Sequence, residues 1–139
     1  MTVARAVAQV PAGEAFTARQ REDIDRAVRL GEKQGQMHIA VFVGPLESPA
    51  RAGAQRLHAE LGPDAAGTVL IAVDPAVRAL EIVTGSELAR RLPDRECALA
   101  AMTMTTSFAL GDLSGGIVDG IRVLAEHARA PQTLHTETP

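Results

Sequence analysis

The stretch VTGSELARRLPD, residues 83–94, holds charged side chains whose types and spacing could do chemistry. Arg90 and Arg91 are adjacent, and a guanidinium group can hold a phosphate through its fixed fork of donors. The same pair could equally be solvated arginines that precede a helix. Glu87 and Asp94 could bind a ligand or serve as helix caps and surface charges. Asp112, in the later stretch GDLSGG, is open to both interpretations.

Local motifs complete no catalytic set in this sequence. Cys97 lies in ECALAAM, whose apolar helical pattern favours a plain buried thiol over a nucleophile. A phosphate-transferring cysteine needs an arginine six residues later, where this chain has Thr103. Asp74 lacks the second aspartate of a haloacid-dehalogenase-type pair, because Ala76 stands at that position. The four histidines form no His-x-x-x-His pair, and GDLSGG lacks the lysine of a phosphate-binding loop.

Composition and charge argue against nucleic acid as a partner. The 139 residues include three phenylalanines and no tryptophan or tyrosine, so aromatic platforms for base stacking are missing. The formal net charge is −3, and Lys33 is the single lysine, so no basic run exists to attract a polyanion. Cys97 is the sole cysteine, which rules out an internal disulfide and suits a reducing compartment.

Hydropathy predicts neither a signal peptide nor a membrane span. The first residues carry only a short apolar patch, interrupted by Gln9 and Pro11. The longest charge-free stretch, from Cys97 to Gly111, is too short and too rich in threonine to cross a bilayer. We therefore expect a cytoplasmic protein.

Periodicity predicts one α/β domain over residues 16–130, after a lead-in at 1–15 and before a disordered tail at 131–139. Val7 to Val10, in the lead-in, suit a short edge strand. The predicted strands cover residues 37–43, 68–73 and 79–83. The predicted helices run from a capping box at Thr17 and Gln20 to about Gln34, from an N-cap at Ser48 to Leu61, from Asp94 to about Leu110, and on from Asp112.

The order of these elements predicts a small mixed β-sheet flanked by helices on both faces, a three-layer sandwich. Only five residues, from Asp74 to Arg78, separate the second and third strands. A parallel crossover needs about a dozen residues, so we expect these two strands to form an antiparallel hairpin. Gly85 is expected where the backbone needs a conformation that other residues avoid.

The spacing of these residues resembles the TPM domain, the family of thylakoid phosphatase-like and photosystem-repair proteins. Its members combine a hairpin turn rich in Asp and Arg with Gly-Tyr-Gly-Leu-Glu, Leu-Pro-Asp, Phe-x-x-Gly-Asp and a glycine-dotted last helix. The chain looks like a cytosolic actinobacterial branch of that family with no assigned function. The matching positions are Asp74, Arg78, Gly85, Glu87, Leu92, Pro93, Asp94, Phe108, Gly111, Asp112 and Gly116.

The resemblance implies an α/β sandwich whose acidic residues gather near one edge of the sheet. Acid phosphatase activity and divalent-cation binding have both been ascribed to such domains. The implied site would place Ca²⁺ or Mg²⁺ on several carboxylates and a phosphate on nearby arginines. The metal candidates are Asp74, Glu87, Asp94 and Asp112, and the phosphate candidates are Arg78, Arg90 and Arg91. The family pattern is broken at Val83 and Thr84, which stand for its first glycine and its tyrosine.

Three hypotheses for function follow. The favoured one is a non-catalytic module that requires no cofactor and binds a ligand, an unidentified partner protein or a second copy. The binding surface would be the charge-free helix from Cys97 to Leu110, which carries Met102, Met104 and Phe108. The alternatives are a weak, cation-assisted phosphomonoesterase and a calcium- or magnesium-binding module without turnover.

Overall fold

The computed structural model describes the backbone of residues 16–137 and the side chains of residues 16–129. Short 3-10 turns at Gly62–Gly67, Pro75–Val77 and Ser86–Leu88 join the main elements. The predicted lead-in at 1–15, with its edge strand from Val7 to Val10, lies outside the described residues. The main elements are α1 (Ala18–Gly35), β1 (His38–Val43), α2 (Ala50–Ala59), β2 (Thr68–Asp74), β3 (Ala79–Thr84), α3 (Asp94–Ala109) and α4 (Leu113–Glu137).

The three strands form a mixed sheet in the order β1-β2-β3. Strand β1 pairs in parallel with β2, from His38 opposite Thr68 to Val43 opposite Val73. Strand β3 returns antiparallel to β2, with Asp74 opposite Ala79. The predicted hairpin is therefore confirmed, since its short connection leaves no length for a crossover.

Helices cover both faces of the sheet, so the predicted three-layer α/β sandwich is confirmed. On one face, α1, α3 and α4 pack against alternate strand residues such as Ile39, Val41 and Ile71. On the other face, α2 and the turn after it cover Phe42 and Leu70 together with their neighbours. Alternation along the strands explains the division, because successive side chains point to opposite faces.

Helix starts follow local capping rules in some places and not in others. The capping box at Thr17 and Gln20 forms as predicted, with each side chain accepting from the other residue's backbone N–H. The predicted N-cap at Ser48 is wrong, because α2 begins at Ala50 with Pro49 before it. Asp94 is the first residue of α3 and makes no side-chain cap. Asp112 does cap α4, since its Oδ1 accepts from the N–H of Gly115 at 2.9 Å.

Helix α4 extends beyond the domain end that was predicted from the sequence. The sequence predicts a disordered tail from residue 131, but the backbone of residues 131–137 belongs to this helix. Residues 138 and 139 lie outside the described part of the chain, and the domain boundaries stay predictions. Within residues 16–137, no helix combines the length and the apolar character needed to span a bilayer.

Gly85 serves a close approach between two backbone segments. Its φ of −73° is open to any residue, so the expected need for a special conformation is wrong. A Cβ at this position would instead overlap the carbonyl oxygens of Ala65 and Ala66. The glycine therefore lets the end of β3 lie directly against the turn that precedes β2.

We predict that Gly85→Ala lowers the free energy of unfolding by about 2–3 kcal/mol, because backbone atoms must move to admit the methyl group. Urea unfolding followed by circular dichroism measures the change. The matched control is Gly67→Ala, whose Cβ would meet only the mobile end of the Glu87 side chain at 3.3 Å. That variant should stay within about 0.5 kcal/mol of wild type. Equal stability of both variants would contradict the close-approach explanation.

Candidate functional site

Asp74 connects the end of β2 to the loop after β1, at one end of the sheet. It is buried at the last position of β2, and its Oδ2 accepts from the backbone N–H of Leu46 at 3.0 Å. Its place in the strand alternation puts it on the α2 face, with Leu70 and Ala72. A buried carboxylate with this hydrogen bond anchors the loop that follows β1.

Glu87 lies at the opposite end of the sheet from Asp74. It is exposed in the turn that follows Thr84, and Thr84 pairs with Val69 near the start of β2. Strand β2 has seven residues, which correspond to about 20 Å. These two carboxylates therefore cannot ligate one ion.

Asp94 and Asp112 are separated by the length of α3. Both are exposed, one in the first turn of α3 and the other just after its end. Sixteen residues of helix span about 24 Å. Among the described side chains, no three His, Cys, Asp or Glu residues form a group that could hold a metal ion. The structure does not gather the four predicted ligands, and binding of Ca²⁺ or Mg²⁺ at any one of them stays a prediction.

Arg91 is engaged with the backbone at the end of α1. Its guanidinium group donates to the carbonyl oxygens of Gly35 at 2.6 Å, Gln36 at 3.1 Å and Ala128 at 3.4 Å. These carbonyls lie at the C-terminal end of α1 and on the adjacent α4, where a cation satisfies orphan acceptors and suits the helix dipole. The phosphate role predicted for Arg91 competes with this engagement. Arg90 is exposed beside it.

Arg78 is separated from the other two arginines. It lies exposed in the β2–β3 turn, at the end of the sheet where Asp74 lies, whereas Arg90 and Arg91 follow the opposite end. Its backbone adopts the left-handed conformation at φ 55° and ψ 40°, which is uncommon for a residue with a Cβ. The three arginines therefore form no joint anion site.

Burial raises the pKa of the Cys97 thiol, and the nearby charge of Asp94 raises it further. The sulfur is half-buried, and its S–H donates to the carbonyl oxygen of Leu92 at 3.7 Å. Nucleophilic attack requires the thiolate, so this environment agrees with the interpretation of Cys97 as an unreactive thiol.

A groove opens between the β2–β3 turn and the C-terminal end of α3. It has a volume of about 380 Å³ and combines apolar walls with one charged residue, Arg78. Sequence reasoning missed this groove, because its walls come from the hairpin, α3 and the start of α4. The residues that line it are Val73, Pro75, Arg78, Ala79, Leu80, Thr105, Phe108, Ala109, Gly111 and Leu113.

Helix α3 presents a second feature, an uncharged outer face. Met104 and Phe108 were predicted to share one candidate surface with Met102. Met104 is instead buried in the core, and Phe108 is half-buried against it. Met102 is 65% exposed and Leu99 45% exposed. We call this surface the α3 face; its exposed residues are Ala98, Leu99, Met102, Thr105, Thr106 and Ala109.

We predict that Arg91→Gln destabilises the protein by about 1–2 kcal/mol, because charge-assisted hydrogen bonds to the end of α1 are lost. Arg90→Gln removes the same charge from an exposed neighbour and should change stability by less than about 0.5 kcal/mol. Chemical denaturation of both variants and wild type gives the comparison. Similar losses in the two variants would contradict the structural role of Arg91.

We predict that iodoacetamide alkylates Cys97 more slowly in the folded protein than in the unfolded chain at pH 8. A raised pKa means less thiolate at a given pH, so the alkylation rate of the folded protein should rise at higher pH than that of the unfolded chain. Mass spectrometry of quenched time points measures both pH profiles. A folded-state profile at lower pH would contradict the direction of the shift.

Three solved structures share this fold at low sequence identity. The N-terminal domain of a P. gingivalis protein has a TM-score of 0.71 and 19% identity, and covers 82% of this chain and 78% of its own. The BA42 protein of Bizionia argentinensis has a TM-score of 0.76 and 22% identity, with coverages of 84% and 83%. The N-terminal domain of cg2496 from Corynebacterium glutamicum has a TM-score of 0.70 and 15% identity, with coverages of 85% and 76%.

Two curated relatives come from Mycobacterium tuberculosis. They are the uncharacterized protein MT2543 of strain CDC 1551 and the uncharacterized protein Rv2468c of strain H37Rv. Each is 28% identical to this chain over 102 residues, which is 73% of the chain. The chain spans 60% of the length of these relatives.

The family model that matches the chain is not the TPM family suggested by its motifs. The matching model is DUF5130, a domain of unknown function, and the match covers residues 1–125. The predicted membership of the TPM family is therefore wrong. The short motifs that suggested it, such as Leu92-Pro93-Asp94 and Gly111-Asp112, lie at the starts of α3 and α4. The phosphatase and cation-binding expectations that rested on that resemblance lose their basis, and the chain belongs to the DUF5130 family.

Proposed function

We propose that this domain is a non-catalytic binding module and that the α3 face pairs with a second copy of the chain. The observation that carries the proposal is this exposed face without charge, about three turns long, on a protein whose other helices carry charges on their outer sides. Scattered exposed apolar residues are ordinary on protein surfaces. Leu99 and Met102 are different because they lie together on a continuous uncharged face.

Threonine hydroxyl groups on α3 are satisfied within the helix. Thr103 donates to the carbonyl oxygen of Leu99 at 3.2 Å, and Thr105 donates to that of Ala101 at 2.8 Å. Thr106 donates in the same way to Met102 at 3.0 Å. A hydroxyl that donates within the helix keeps that hydrogen bond when its surface is covered, which lowers the polar cost of burying the adjacent methyl group.

An antiparallel arrangement of two α3 helices suits the charges at the ends of this helix. The last turn of α3 contains no basic residue, although a cation there would suit the helix dipole. Arg95 is exposed in the first turn and has no ion-pair partner among the described side chains. In a two-fold symmetric pair, Arg95 of each copy would lie near the C-terminal end of the other α3, with Met102 near the axis.

Small side chains on the same face support close packing. Ala98 and Ala109 flank Met102 at spacings of four and seven residues, so they share its side of the helix. The proposed interface is a single helix pair, which buries less surface area than the interface of a stable dimer. The proposed association is therefore weak and depends strongly on concentration.

The enzymatic alternative has no comparable support. A cation-assisted phosphomonoesterase needs carboxylates and a phosphate-binding cation around one point. Here Asp74 and Glu87 lie at opposite ends of the sheet, and Arg91 is engaged with the backbone. The binding module is consequently the function that the geometry supports best.

We predict that the wild-type mass measured by light scattering rises from monomer towards dimer with increasing concentration. Met102→Glu should remain monomeric, because a charge at the centre of the interface would be buried without a partner. The matched control is Leu30→Glu, which places the same charge at a residue that is 60% exposed on α1. That variant should associate as wild type does.

At low concentration, where the wild type is monomeric, both variants should keep its melting temperature, because both positions are exposed in the monomer. A wild-type protein that stays monomeric into the millimolar range would overturn the proposed self-association. Dimerisation of Met102→Glu equal to that of wild type would place the interface elsewhere and would likewise overturn it.

A further inference from the structure

We propose that the groove between the β2–β3 turn and the end of α3 binds a small carboxylate that carries an apolar tail. We call it the hairpin groove. The inference does not rest on self-association, because Arg78 and the groove walls belong to one chain. Its volume of about 380 Å³ lies at the lower end of the range for small-molecule sites.

The walls of the hairpin groove would receive the apolar part of the ligand. Pro75 and Leu80 line it from the hairpin, and Phe108 lines it from α3. Leu113 completes it from the first turn of α4. Phe108 and Leu113 also pack against the core, which holds these walls in place when the groove is empty. A site built on such rigid elements binds without a large ordering cost.

Arg78 supplies the polar contact. It is exposed, it is the single charged residue that lines the groove, and it has no hydrogen bond or ion pair through its guanidinium among the described side chains. The 3-10 turn from Pro75 positions it, with the N–H of Arg78 donating to the carbonyl oxygen of Pro75 at 3.3 Å. A free guanidinium beside apolar walls is complementary to an amphipathic anion.

Asp74 and Asp112 are chain neighbours of residues that line the groove, but both carboxylates are engaged elsewhere. The Asp74 carboxylate accepts from the backbone of Leu46 on the α2 side of the sheet. Asp112 caps α4 through Gly115 and lines the separate groove between α1 and α4. Neither side chain lines the hairpin groove, so the charge of Arg78 is available to a ligand.

The single charge favours a carboxylate over a phosphate. One guanidinium matches one carboxylate in charge and in its two-pronged geometry. A phosphate monoester carries up to two negative charges at neutral pH and would call for a second cation, which the lining does not contain. The ligand class is thus an apolar monocarboxylate, with octanoate as a suitable probe.

The test is a titration of the isotope-labelled protein with octanoate, octan-1-ol and octyl phosphate, followed by amide chemical shifts. Octanoate should give saturable shifts at Ala79, Leu80 and Leu113, and it should bind more tightly than either analogue. Arg78→Asn should weaken octanoate binding roughly five-fold, as expected for a partly exposed charged contact. Asparagine tolerates the left-handed conformation, so this variant should fold normally.

The matched control is Arg90→Asn, which changes net charge equally at an exposed position remote from the groove. It should bind octanoate as wild type does. Several results would overturn the proposal: absence of saturable shifts, shifts confined to Ala98, Leu99 and Met102, which lie on the α3 face outside the groove, or equal octanoate affinity in Arg78→Asn and wild type. Tighter binding of octan-1-ol would show simple apolar adsorption, and tighter binding of octyl phosphate would show a different ligand class; either would reject the carboxylate assignment.

Discussion

The close packing of α4 between α1 and α3 is the constraint on which the remaining structure depends. A Cβ at Gly31 of α1 would meet Ile121 at 2.8 Å, and one at Gly116 of α4 would meet Phe108 at 2.7 Å. A Cβ at Gly120 would overlap the side chain of Met104. Glycines therefore let both neighbouring helices approach α4, and aliphatic side chains fill the space that aromatic residues occupy in most cores.

This packing determines which surfaces of the protein are exposed for binding. Because α3 is held against α4 and β3 along one side, its opposite side faces outward for its whole length. Met104 and Phe108 are taken into the packed side, which leaves Leu99 and Met102 outside. The same arrangement brings the end of α3 beside the β2–β3 turn and so creates the hairpin groove with Arg78. Both candidate surfaces are consequences of where α3 lies.

Carboxylates that look related in the sequence lie apart for an equally simple reason. The β2–β3 hairpin reverses the chain, so Asp74 and Glu87 fall at opposite ends of the same strand pair. Helix α3 reverses it again and places Asp94 and Asp112 a full helix length apart. The residues of a short motif are close in sequence, whereas the ligands of a cation site must be close in space. A family resemblance built on such motifs therefore implied a site that this geometry does not assemble.

Local patterns in the sequence by themselves determined the main helices and strands, the antiparallel hairpin and the three-layer class, since each follows from periodicity, capping and connection length. Thr17 with Gln20 and the five-residue link from Asp74 to Arg78 are examples. Local patterns did not determine the start of α2 or the end of α4. Tertiary structure alone decided two outcomes. Gly85 lies so close to the backbone of Ala65 and Ala66 that a Cβ would overlap it, and Arg91 donates to the carbonyl groups at the end of α1. These outcomes depend on segments distant in the chain meeting in space, and no local pattern carries that information.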